Sequence, residues 1–163
     1  MKIYIATGLG SGPTKLAAFD AALNNAGVAN YNLLKLSSII PPKTVIEQTN
    51  GSSSPGQWGD RLYVVMAEKR VVTANVEAWA GLGWVQDKVT GKGLFVEHTG
   101  ESEKSVRRAI SQTLEAMTAT RNVDFGEVNM KIVGKTCTDL PVCALVVAAY
   151  QASDWENKAS FVK

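Results

Sequence analysis

The chain has 163 residues, 45% of them hydrophobic and 20% charged, with a net charge of +2 and a single histidine. That is the make-up of one ordinary globular domain able to bury its own core. The charge is too small to point to nucleic acid or a membrane surface, one histidine argues against a His-rich metal site, and no apolar run reaches the length of a bilayer span.

Residues 2–7 read as a short apolar strand rather than a secretion signal, so the expected location is the cytoplasm. The stretch Gly8-Leu9-Gly10-Ser11-Gly12-Pro13 reads as a loop in which the chain passes close to something. It lacks the Lys-Ser/Thr of a phosphate grip and the full dinucleotide spacing. Thr14 is placed to N-cap a helix over residues 15–26, with Leu16, Phe19, Ala22, Leu23 and Ala26 at helical spacing and Gly27 as its stop. Strands are expected over residues 31–36 and 44–48. Residues 49–59 are the most loop-like, and nothing rigid holds Ser52, Ser53 or Ser54 there for chemistry.

Further strands are expected over residues 61–67, 71–85 and 94–99, with a turn over 87–93. Glu101 or Ser102 starts a long helix to about Arg121, with a stripe of Val106, Ile110, Leu114 and Met117. Strands over 127–135 and 142–150 follow, then an amphipathic tail from Ala152 that ends in a short helix or lies across a neighbour. Cys137 and Cys143 do not form a Cys-x-x-Cys motif and are expected as free core thiols. Trp79 and Trp84 read as core or interface residues. Two helices and six or more strands in this order, with no repeat or linker, predict a single layered α+β domain.

The run Asn32-Leu33-Leu34-Lys35-Leu36-Ser37-Ser38-Ile39-Ile40-Pro41-Pro42 has properties that favour chemistry on the backbone itself. Two serines close an apolar strand, and a Pro-Pro pair fixes the path just downstream. The Ser38 hydroxyl lies within reach of the Ser37 carbonyl carbon. Attack there converts the amide to an ester, and β-elimination from Ser38 then cuts the chain and leaves a pyruvoyl group. On the dipeptide alone, a strand end with two turn-forming serines is the simpler account.

The surroundings shift that balance. Phe19-Asp20-Ala21-Ala22-Leu23, Asn25-Ala26-Gly27-Val28, Asn30-Tyr31-Asn32-Leu33 and Leu36-Ser37-Ser38-Ile39-Ile40-Pro41-Pro42 resemble the N-terminal part of the pyruvoyl-dependent arginine decarboxylases. A second patch, Gly93-Leu94-Phe95-Val96-Glu97-His98-Thr99-Gly100, resembles the segment with the family's catalytic glutamate. The resemblance implies a four-layer αββα sandwich and a homotrimer with active sites between subunits, paired or not into a hexamer. It makes residues 49–59 an exposed, variable insertion.

The resemblance also implies roles. Ser38 becomes the covalent pyruvoyl group, with no metal and no pyridoxal phosphate. Residues 1–37 become the β subunit and 38–163 the α subunit. Asn32 stands at the cleavage site, where its amide would polarise the Ser37 carbonyl or stabilise an oxyanion. Glu97 protonates Cα after carbon dioxide leaves, a role that an apolar wall of Leu94, Phe95 and Val96 would favour by keeping the acid uncharged. His98 points to the opposite strand face and is expected to be structural. Asp20 pairs with the substrate guanidinium. The expected reaction is L-arginine to agmatine and carbon dioxide. The rival readings are the same machinery on histidine or lysine, and a non-cleaving scaffold that serves as a binding or structural trimer.

Overall fold

Alternation of period two along most of the chain, broken by two capped helical stretches, builds nine strands and two helices among the described residues. The computed structural model describes residues 1–49 and 56–156; serines 52–54 and the end of the tail, residues 157–163, lie outside the described residues. The elements are β1 (Lys2–Ser11), α1 (Lys15–Ala26), β2 (Asn32–Lys35), β3 (Ile39–Ile40), β4 (Val45–Gln48), β5 (Arg61–Val71), β6 (Glu77–Gln86), β7 (Gly93–Gly100), α2 (Glu103–Ala119), β8 (Asn129–Thr136) and β9 (Val142–Ser153). One sheet has the order β2-β5-β9-β1-β4 and the other β3-β7-β6-β8. The first is mixed, with β1–β4 and β2–β5 parallel. The second is antiparallel throughout.

Three apolar layers hold these elements together. Ile3, Ile5, Val65, Leu82, Trp84, Phe95 and Val146 fill the space between the sheets. Ala18, Ala22 and Ala26 of α1 close over Leu62, Val64, Leu145 and Val147 on the outer face of the first sheet. Val106, Ile110 and Leu114 of α2 close over Val85, Leu94 and Val96 on the outer face of the second. The order α1, sheet, sheet, α2 is the αββα sandwich. Trp84 lies in the central layer, and Trp79 is half-buried beneath α2. No helix among the described residues is long and apolar enough to cross a membrane.

The caps follow the sequence closely. The Thr14 hydroxyl accepts from the Ala17 N–H at 3.1 Å, and Gly27 ends α1 in the left-handed region at φ 75°. Ser102 caps α2 in the same way, accepting from the Ser105 N–H at 3.2 Å.

Four expectations need correction. Residues 8–11 are not a loop but the second half of β1, and what passes close to them is α1. A Cβ on Gly8 would lie 1.9 Å from the Ala22 carbonyl oxygen, and one on Gly10 would lie 2.2 Å from that of Ala18. The glycines let a helix backbone rest directly on a strand, so the buried stripe of α1 is Ala18, Ala22 and Ala26 with Leu23 beside them, and Leu16 is left 68% exposed. Residues 72–76 separate β5 from β6, so the strand expected over 71–85 begins only at Glu77. Ala152 and Ser153 belong to β9 rather than to the tail. Gly10→Ala is therefore expected to destabilise the fold by about 1–3 kcal/mol through overpacking. Urea unfolding checks this, and an unchanged midpoint would show that α1 can step back freely.

Cys137 and Cys143 are buried free thiols. They sit in different layers, Cys137 between the sheets and Cys143 under α1. Burial pushes the Cys143 thiol up to about 12, with the Glu68 charge adding to the effect.

Candidate active site

β2 is the edge of the first sheet and β3 the edge of the second, so the chain changes sheets between them. The change takes place in Leu36, Ser37 and Ser38. On one side, the Leu36 N–H donates to the Val64 carbonyl at 2.9 Å; on the other, the Phe95 N–H donates to the Ser38 carbonyl at 2.8 Å. The Ser37–Ser38 peptide is thus suspended between two anchored points. Ser38 has φ 67°, a left-handed conformation that costs an L-residue with a Cβ about 1–2 kcal/mol. Downstream, the Thr44 hydroxyl donates to the Pro41 carbonyl at 2.7 Å and fixes the Pro-Pro turn.

The second sheet supplies the partner. Ile39 pairs with Leu94 and Ile40 with Gly93, which sets Ser38 beside Phe95. Glu97 lies two residues further along β7 and so on the Phe95 face. The Ser38 hydroxyl donates to Glu97 Oε1 at 2.7 Å. A carboxylate at that distance can take the hydroxyl proton, and the hydroxyl oxygen belongs to the residue that follows the Ser37 carbonyl. The expected apolar wall is smaller than the sequence suggests. Only Phe95 shares the Glu97 face; Leu94 and Val96 turn to α2, and Glu97 is exposed in the single chain. His98 also turns to α2, where its Nε2 is hydrogen-bonded to the Thr113 hydroxyl at 2.7 Å.

One residue was missed. Tyr150 of β9 projects into the space between the sheets, edge-on to Phe95 with ring centroids 6.2 Å apart. Its hydroxyl donates to the Ile39 carbonyl at 3.0 Å. Burial and the nearby Glu97 charge both hold its phenol above the ordinary ionisation range. The only sequence signal was an aromatic residue with a polar tip at the end of an apolar run.

Two expected residues lie elsewhere. Asn32 opens β2, and its side-chain amide donates to the Gly59 carbonyl at 2.6 Å rather than to Ser37. Asp20 is exposed on α1, the layer outside the first sheet. One chain therefore brings Ser38 and Glu97 together and holds Asn32 and Asp20 in other parts of the sandwich.

These features define an αββα sandwich in which the hydrogen-bonded Ser38 and Glu97 sit where the chain crosses between sheets. A model of the family described as pyruvoyl-dependent arginine decarboxylase matches residues 2–154, and the chain belongs to that family. A Halobacterium salinarum protein of that name is 34% identical over 94% of this chain and 96% of its own length. One from Methanopyrus kandleri is 30% identical over 90% of this chain and 93% of its own. A third, from Methanothermobacter thermautotrophicus, reaches 54% identity over 46 residues, 28% of this chain and 30% of its own length.

Proposed function

We propose that this chain decarboxylates L-arginine to agmatine and carbon dioxide, with a pyruvoyl group made from its own Ser38. The observation that carries the reading is the 2.7 Å bond from the Ser38 hydroxyl to Glu97, at a strained peptide between two anchored strands. The full-length likeness to relatives named pyruvoyl-dependent arginine decarboxylase supports the substrate.

The residues fit the making of the group. Glu97 takes the Ser38 proton as Oγ bonds to the Ser37 carbonyl carbon. The C–N bond then breaks, the nitrogen gains a proton, and the Ser37–Ser38 linkage is an ester. Loss of the Ser38 Cα proton expels the Ser37 carboxylate, and water replaces the remaining nitrogen as ammonia. The cut separates residues 1–37 from 38–163 without releasing them. β1 runs between β9 and β4, and β2 stays paired to β5, so the small piece remains woven into the sheet of the large one.

The group, once present, supplies the carbonyl that binds the substrate amine and takes up the electron pair left on Cα by departing carbon dioxide. Glu97 then delivers a proton to Cα from the Phe95 side of the site. Asp20 holds the guanidinium by two parallel hydrogen bonds. Because one chain keeps Asp20 and Asn32 away from Ser38, the arrangement supports sites completed by a second copy, as a trimer would provide. Leu34, Leu36 and Ile39 flank the crossing and are 39%, 36% and 52% exposed, an apolar strip suited to such a neighbour.

The test is carbon dioxide release from a panel of arginine, lysine and histidine. Arginine is expected to be preferred; preference for another amino acid, or no turnover by a cut chain, would overturn the substrate. Asp20→Asn is expected to raise KM for arginine by about tenfold or more, the loss of a charge-assisted pair, with self-cleavage unchanged. Equal effects on both would remove Asp20 from substrate recognition.

A further inference from the structure

Tyr150 occupies a special place in the sheet. Along the β5–β9 pair, Tyr63 faces Gln151 and Val64 faces Ala149, so Tyr150 is the unmatched residue of a β-bulge. Bulges are enriched beside active sites. Tyr150 continues the face of Ala144, Val146 and Ala148, which looks between the sheets, and at the edge of the second sheet its hydroxyl meets the Ile39 carbonyl at 3.0 Å. The next peptide group back, the Ser38 carbonyl, is held by the N–H of Phe95 at 2.8 Å, and Phe95 is the ring on which Tyr150 packs.

We infer that Tyr150 is a positioning residue for the reacting segment: by holding the Ile39 carbonyl, its hydroxyl keeps residue 38 in register with Glu97 before and after the cut. The inference rests on the reading of Ser38 as the cleavage residue. β3 is only two residues long and lies at an edge, so its ladder alone is a weak restraint. Before cleavage, the Leu36 anchor also limits residue 38. After cleavage that anchor belongs to a separate piece. The bonds to Phe95 and Tyr150 are then what fix the new chain end, and the need for Tyr150 extends into turnover. Burial and the Glu97 charge keep the phenol protonated, so it remains a donor.

A tyrosine that merely fills the core predicts something different. Tyr150→Phe keeps the ring and its contact with Phe95 and removes the hydroxyl alone. For a positioning role, self-cleavage is expected to slow by about tenfold or more, because small displacements of reacting groups carry large rate penalties. In the cut fraction, kcat should fall by a similar factor with KM for arginine within about twofold. The melting temperature should move by only a few degrees. Wild-type cutting and wild-type kcat in the variant would overturn the inference and leave the Ser38 reading intact. A wild-type chain that never cuts overturns both. Should Tyr150→Phe melt near the assay temperature, the rates are read at a temperature where circular dichroism shows it folded. Tyr150→Leu, which loses ring and hydroxyl together, should then cut no faster than Tyr150→Phe.

Discussion

Ser38→Ala is expected to remain one uncut chain of 163 residues with no decarboxylase activity, while the parent separates under denaturing conditions into residues 1–37 and 38–163. The larger piece should resist N-terminal sequencing, because its first residue no longer carries an amine. Alanine removes the oxygen that attacks the Ser37 carbonyl carbon, and among the described residues no other hydroxyl is bonded to Glu97. The fold should survive. One exposed hydrogen bond is lost, worth about 1 kcal/mol, and alanine meets the same left-handed backbone penalty as serine. Ser37→Ala provides the contrast, since Ser37 contributes its carbonyl and not its hydroxyl; it should still cut. Cutting in Ser38→Ala, or its loss in both variants alike, would move the chemistry away from the Ser38 hydroxyl.

The left-handed φ of Ser38 gives the cut a direction. The penalty of about 1–2 kcal/mol exists only while residue 38 has an amide nitrogen. Conversion to a pyruvoyl group removes that nitrogen and the torsion with it. This is far too little to supply the barrier to amide cleavage, but it favours the cut state. The anchors at Leu36 and Ser38 keep the peptide from relaxing by other means.

Much of this was legible in the sequence where the determinants are local. The Thr14 cap, the Gly27 stop, the α2 stripe and the alternation that separates Glu97 from His98 all appear where residue chemistry places them. The glycines of β1 misled because glycine marks turns more often than it marks a helix resting on a strand, and the helix that needs the space lies further along the chain. β3 escaped because two residues carry no periodicity. Tyr150 escaped because its meaning depends on a ring and a carbonyl far away in the chain, those of Phe95 and Ile39. Asp20 and Asn32 were marked by family likeness alone, and the single chain holds both away from Ser38.

Glu97→Gln should have the second large effect, and it separates two uses of one side chain. Glutamine keeps the size and an oxygen that can still accept from the Ser38 hydroxyl, but it can neither take that proton nor later give one to Cα. Self-cleavage should therefore slow without stopping, since water can replace the carboxylate in an exposed site. Decarboxylation per cut chain should fall further, by about 10²–10⁴-fold, the usual worth of a positioned acid or base. The loss should appear in kcat, with KM for arginine little changed, because the guanidinium is held elsewhere. Normalising to the cut fraction on a denaturing gel keeps the two uses apart. Glu97→Asp retains the acid but draws it back by one methylene, and should fall between parent and glutamine in both measurements. A glutamine variant with full kcat per cut chain would take Glu97 out of the proton transfer and leave it only the task of drawing the proton from Ser38.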